Sequence, residues 1–462
     1  MHASDKAGVF PQWDCRALRR ALGATMELTD AGAADRLFTK IAWRLVPWLF
    51  AGYVIAYIDR VNVGFAKLQM VDDLHYSSTV YGFGAGVFFV GFVIMEIPSN
   101  LVLYRVGARV WLARIMVTWG VLSVLLLFVG TPLSFYVLRF LLGAAEAGFL
   151  PGVIYFLTLW FPAERRGRIF AIFFAAAATG GAIVGPASGW IMAHLNDFMG
   201  LRGWQWLFIV QGTPAILLGG LLFMLLDDGP NEAKWLSAQD RSRLARHVAP
   251  AVPARDRQTS LRSALLSPST WLLGLILGIA NLGIYVGVFW LPTIIRAGGV
   301  AGYESIGSIS SLAYVISAVA MLALGRSSDH FGERRRHIGG TFFIAALSLA
   351  ASALSAAPLW SIGGLILATA LFIAATPLLW AHAASFMSGK AAAIGFALLN
   401  ACAGVAAFLA PYLMGVAQAR MGSTQLVLLC TAGGAALGAM LIVAAPSLVA
   451  PGSPAPECAR QT

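Results

Sequence analysis

The stretch Ala42–Phe65, "AWRLVPWLFAGYVIAYIDRVNVGF", decides how this chain is to be read. It is long and apolar enough to cross the hydrocarbon core of a bilayer, which takes about 20 mostly apolar residues. Yet it carries Asp59 and Arg60 side by side. Near the centre of a membrane each would cost roughly 2.5 to 3.5 kcal/mol. A crossing helix that keeps such a pair points to a working site.

The whole chain has the same character. Of its 462 residues, 59% are hydrophobic and only 11% charged, with a mean hydropathy of +0.77. These values exclude a soluble globular enzyme of this size and indicate an integral membrane protein. The net charge of +11 is no nucleic-acid signature, because the basic residues sit in short segments between apolar runs. Cys15, Cys402, Cys430 and Cys458 show no metal or disulfide spacing and read as inert. The first 23 residues lack the apolar core of a secretory signal, so the first crossing is expected to serve as its own insertion signal.

Twelve runs reach crossing length: 42–65, 79–101, 110–130, 133–158, 168–193, 205–226, 269–295, 305–325, 338–356, 359–383, 391–417 and 424–446. The long polar segment 227–268 divides them six and six. The expected architecture is therefore an all-α membrane protein with an N-terminal tail (1–41), two six-helix bundles (42–226 and 269–446), a central loop (227–268) and a C-terminal tail (447–462). With both termini cytoplasmic, 26 of the 32 lysines and arginines fall on the cytoplasmic side. Four (Lys67, Arg202, Arg296, Arg420) fall outside, and Arg60 and Arg139 remain buried. That asymmetry orients the chain.

The loop after the eighth run reads "GRSSDHFGERRR" (Gly325–Arg336), with Gly325, Asp329, Gly332 and Arg334 in a G-x-x-x-D-x-x-G pattern followed by basic residues. With twelve helices in two halves, this resembles the major facilitator superfamily, transporters built from repeated bundles. The first-half loop, "NLVLYRVGAR" (Asn100–Arg109), keeps Gly107 but has Asn100 and Tyr104 where the pattern has Gly and Asp. The words "YIDRVNVGFA", "GFVIMEIPSN", "RFLLGAAEAGFLPGVIYFLTLWFP", "RGWQWLFIVQGTPA" and "FWLPTII" resemble one branch, the anion:cation symporters. That branch includes bacterial tartrate, galactonate, hydroxyphenylacetate and phthalate permeases and animal sialin and vesicular glutamate carriers. The similarity runs from about Ala42 to Pro446, and the run "AAAATGGAIVGPASGWI" lies closer to the tartrate and aromatic-acid permeases than to the galactonate type.

The charges expected inside the membrane are Asp59, Arg60, Arg139 and Glu146, with Glu96 nearer the cytoplasmic end of its helix. Arg139 and Glu146 are seven residues apart and so share one face of a helix. They could simply pin helices together, since intramembrane ions are often paired. A carboxylate beside a removable cation also acts as a proton switch. The resemblance implies the second: Asp59 and Glu146 carry protons, Arg60 binds a substrate carboxylate and partners Asp59, and Arg139 partners Glu146. Arg suits the task because its planar fork grips a carboxylate bidentately.

Tyr57, one turn before Arg60, is either a hydroxyl ligand or a packing aromatic. Asn400, Trp380, His382 and Tyr285 are candidate cavity residues of the second half, with Asn281 beside them; a packing histidine is the favoured reading of His382. Departures from the branch narrow the ligand. Alanines stand in "FFAAAATGG" where galactonate-type relatives carry Gln, Phe92 replaces a tyrosine, and "NACAGVAAFLAPY" replaces a glycine-rich pattern. Each removes a hydrogen-bonding group or adds apolar bulk, which disfavours a polyhydroxylated sugar acid. The glycines of "GGAIVGPASG" (Gly180–Gly189) read as close helix packing, lacking the Lys and Ser/Thr of a phosphate loop.

The expectation is a proton-coupled symporter that takes up a small organic anion across a bacterial inner membrane by alternating access. No enzymatic constellation, metal or cofactor is expected, and the partners are the anion and the lipid bilayer, with the chain monomeric and no nucleic acid bound. Rival expectations are an efflux antiporter and a nutrient sensor on the same scaffold.

Overall fold

The computed structural model describes residues 15–248, 268–385 and 389–444, the side chains of 15–32, 163 and 389–394 excepted. The expected C-terminal tail 447–462, with Cys458 and Arg460, lies outside the described residues. So do Lys6 and the stretch 249–267 of the central loop.

Among the described residues, twelve helical segments are long and apolar enough to cross a membrane. Spans 1 to 6 are Ala33–Asp73, Ser78–Val106, Ala108–Phe128, Pro132–Trp160, Glu164–His194 and Gly203–Leu225. Spans 7 to 12 are Pro268–Ala297, Tyr303–Phe331, Arg334–Leu354, Pro358–Ala384, Gly395–Met421 and Gln425–Ala444. Each overlaps an expected run. The largest boundary difference is at the start: the helix that holds the first run starts at Cys15 and continues to Val61. It carries part of the expected tail as ordered helix, with Asp35 paired to Arg165 and Lys40 to Asp240. The central loop likewise contains a helix, Ala238–His247, capped by the Ser237 hydroxyl.

The packing repeats. Spans 1 and 5, 2 and 4, and 3 and 6 pair within the first half, and the pairs displaced by six, 7 and 11, 8 and 10, and 9 and 12, pair within the second. Between the halves, span 2 packs on 11 and span 5 on 8, which are equivalent contacts in such a repeat.

Small residues let backbones meet at these inter-half seams. At the end remote from the central loop, hereafter the far end, a Cβ on Gly185 would sit 2.1 Å from the Gly307 carbonyl. One on Gly82 would sit 2.3 Å from the Pro411 carbonyl, and one on Gly415 would sit 2.3 Å from the Ser78 carbonyl. The far end is closed by backbone against backbone.

Two spans depart from a simple helix beside their charges. In span 1 the ladder tightens after Asn62, whose carbonyl accepts from both Phe65 and Ala66 N–H at 2.9 Å. Span 4 breaks outright: Pro132–Glu146 ends, Ala147 (φ −55°, ψ 135°) and Gly148 (φ 88°, ψ −6°) form a type II turn, and Phe149–Trp160 restarts. Gly148 is needed there because a left-handed φ is costly for other residues.

Candidate functional site

The break in span 4 leaves Glu146 as the last residue of its helix and points it at span 1, where it forms an ion pair with the Arg60 guanidinium. Glu146 is 2% exposed and Asp59 1%. The Arg60 guanidinium also lies over the rings of Phe92 (5.2 Å) and Phe88 (5.7 Å). Aromatic faces on one side and a carboxylate on the other hold it in place.

Asp59 is held differently. Its Oδ1 accepts from the Ser123 hydroxyl of span 3 and from Asn62 Nδ2 at 3.2 Å, while its Oδ2 is buried without a hydrogen-bond partner. Arg139, fully buried, donates from Nε to the Gly84 carbonyl and from Nη2 to the Ala85 carbonyl, both at 3.3 Å, and lies 4.9 Å over Phe88. It is near enough to Asp59 for the charges to act on each other.

The expected pairing is therefore corrected. Arg60 takes Glu146, not Asp59, and Arg139 holds the span 2 backbone, near enough to both Asp59 and Glu146 to act on their charges but closing an ion pair with neither. The reason is geometric: seven helical residues rise about 10 Å, too far for an easy pair along one helix, and the Gly148 turn sends Glu146 sideways.

The second half supplies polar and aromatic walls. Tyr285 of span 7 sits beside Arg60 and tilts 4.5 Å from Phe89. Tyr57 of span 1 meets Tyr314 of span 8 edge-on at 5.8 Å, joining the halves. Asn400 of span 11 donates from Nδ2 to Glu96 Oε2 at 2.5 Å, and Glu96 in turn feels the charge of Arg60.

Other candidates stand apart. Trp380 tilts against Phe396 at 5.9 Å, and Asn281 turns its amide onto the Leu277 carbonyl of its own helix at 2.9 Å. His382 is buried near the end of span 10, close to Arg334 and Arg335, and so packs by the Gly325–Arg336 loop rather than at Arg60. In that loop Gly332 (φ 65°) caps span 8, Asp329 lies 3.7 Å from Arg334, and Gly325 faces open space. Arg335 donates to the carbonyls of Ile442 and Val443 at the end of span 12. Among the described residues no His, Cys, Asp or Glu group could hold a metal ion.

Three participants were hidden from sequence reading. Ser123 lies in a span whose charges, Arg109 and Arg114, fall in its first two turns, and carried no signal. Asn62 carried one, standing three residues after Asp59. Lys67, expected among the outer charges, is instead 7% exposed, its ammonium packed on the Trp290 ring. It is seven residues beyond Arg60, hence on the same helix face.

The family profile of the Major Facilitator Superfamily matches residues 49–411. A Pseudomonas putida protein named as a metabolite transport protein, NicT, is 45% identical over 89% of this chain and 94% of its own length. An Agrobacterium vitis protein named as a tartrate transporter is 40% identical, covering 84% and 86%. An Acinetobacter baumannii quinolone resistance transporter is 35% identical, covering 83% and 88%. The solved D-xylose-proton symporter shares the fold with a TM-score of 0.68 at 16% identity, over 87% of this chain and 97% of that one. With twelve spans in a six-and-six repeat and these relatives, the chain belongs to the Major Facilitator Superfamily and is a multi-pass membrane transporter, not an enzyme.

Proposed function

We propose that this transporter takes up a small organic anion, a mono- or dicarboxylate, by proton-coupled symport across the bacterial inner membrane, with both termini cytoplasmic. The observation that carries this reading is the buried Arg60–Glu146 pair with Asp59 one residue away. Arg60 is the cation an incoming carboxylate can claim. When it does, Glu146 loses its partner in a low-dielectric site and takes a proton, so that anion and proton cross together with little net charge. Asp59, whose Oδ1 is held by Ser123 and Asn62 and whose buried Oδ2 has no hydrogen-bond partner, is the second carboxylate able to carry a proton. Arg139 stays on its carbonyls as fixed positive charge, and no cofactor takes part.

The relative named for tartrate supports an anionic substrate. The apolar and aromatic wall of Phe88, Phe89, Phe92 and Tyr285 supports a sparsely hydroxylated or aromatic acid. A second reading, efflux of a drug-like compound, draws support from the name of the A. baumannii relative.

Proteoliposomes with an imposed pH gradient decide between them. Radiolabelled tartrate, nicotinate, phthalate or hydroxyphenylacetate should accumulate when the outside is acid and cease to do so with an uncoupler. Accumulation that needs sodium instead would replace the coupling ion. Uptake of none of the acids, with proton-driven quinolone export, would establish the efflux reading.

A further inference from the structure

Lys67 is a buried ammonium that nothing above uses. Its Nζ sits 3.6 Å from the ring centroid of Trp290 and 4.8 Å from that of Tyr81, and those two rings meet edge-on at 5.4 Å. Among the described residues no carboxylate lies within the 4 Å of an ion pair with it. The nearby acids are engaged or exposed at the end of span 1. Asp73 accepts from Trp204 Nε1 at 2.8 Å, and Asp72 is exposed. The other cation at this seam, Arg296, donates to the Leu68 carbonyl. Burying an ammonium without a counter-charge is costly, and an aromatic face returns only about 0.5–2 kcal/mol of it.

The position says what the cost serves. Lys67 belongs to the first half and Trp290 to the second, and they meet at the closed far end, where a Cβ on Gly64 would come 2.9 Å from the Val288 carbonyl. Alternating access requires this seam to part. When it does, Trp290 leaves with span 7 and Lys67 keeps its charge without its ring. It then lines the mouth on the same face of span 1 as Arg60, about 10 Å nearer the outside. An anion entering from the far end meets Lys67 first.

We propose that Lys67 is the outer carboxylate-binding residue of the transport path: it receives the anion in the far-end-open state and hands it on to Arg60, and Trp290 replaces the anion on it when the seam closes. This rests on the organic-anion reading above.

The test compares apparent KM on the two faces, in proteoliposomes of known orientation, for whichever of the four acids the wild type takes up fastest. Lys67→Met should raise KM from the far side about tenfold or more, the loss of one charge-assisted contact, and leave KM for efflux from the opposite side unchanged. Lys67→Arg should restore it. Trp290→Leu, which removes the ring and keeps the ammonium, should leave far-side KM near wild type. Equal shifts in Lys67→Met and Trp290→Leu would reduce Lys67 to a closing latch and overturn the proposal, as would an unchanged KM in Lys67→Met. Should Lys67→Met fail to fold, Lys67→Gln against Lys67→Arg makes the same comparison. A wild type that transports none of the acids removes the organic-anion reading and this one together; one that transports them while Lys67 variants behave normally removes this one alone.

Discussion

Arg60 is the residue at which charge, aromatic surface and both halves of the molecule meet. Its substitution by Lys preserves the charge but loses the fork that can hold a carboxylate with two parallel hydrogen bonds. Uptake of the transported acid by Arg60→Lys should fall about tenfold or more, consistent with the ~1.5–3 kcal/mol of a hydrogen bond to a charged group. Wild-type uptake would remove Arg60 from the binding role. Glu146→Gln keeps shape and polarity but cannot ionise, so binding measured by thermal shift should persist while accumulation driven by the pH gradient disappears. Persistent accumulation would take Glu146 off the coupling path. These charges were legible in the sequence because a buried ion is too costly to pass unnoticed. Their pairing was not, because it depends on a turn at Gly148 and on a hydroxyl from a different span. Lys67 was misread for a related reason: near the end of a run, a lysine at the water boundary and one buried under an aromatic look the same in one dimension.

At the scale of elements, the break in span 4 matters most. Its sequence, "EAGFLP" (Glu146–Pro151), holds the signal: a glycine, then a proline with no N–H to return to residue 147. An apolar run of crossing length masked it. Gly148→Ala would force a side chain into a left-handed backbone and set its Cβ 2.3 Å from the Ser99 hydroxyl, which already accepts from Trp111 Nε1. The variant should lose stability on the order of 1–3 kcal/mol, seen as a lower thermal midpoint, and should transport poorly through misplacement of Glu146. A midpoint and uptake equal to wild type would show that the turn is dispensable. The degenerate loop of the first half also gains an explanation. An acid reaches it from the central segment: Asp228 Oδ1 accepts from the Arg109 backbone N–H at 2.8 Å, at the start of span 3. A carboxylate at a helix N-terminus is favourably placed, and no local pattern in the loop could have announced a partner 119 residues away.

For the whole molecule, the count of spans, the six-and-six division and the repeat were legible, since hydrophobic length and the central polar segment carry them directly. The contacts that close the far end were not, because small residues pack equally well within a bundle or between bundles. Gly185 and Gly307 are the sharpest case, each leaving no room for a Cβ on the other. Gly307→Val should prop the far end open. A cysteine placed at Ser311, with the native cysteines replaced, should then react several-fold faster with a membrane-impermeant thiol reagent applied from the far side, while net uptake falls. Unchanged reactivity with intact uptake would show that this seam does not move. The uneven placement of charge has a wider consequence. The acids Asp59 and Glu146 and the cations Arg60 and Arg139 all belong to the first half, whereas the second half brings Tyr285, Tyr314 and Asn400. On the proposed function, the coupling carboxylates and the cation that anchors the anion therefore sit together in one bundle, and substitutions in the second bundle reshape part of the wall around the anion without touching them. A lineage of such transporters can vary its nutrient there and inherit the charge set unchanged.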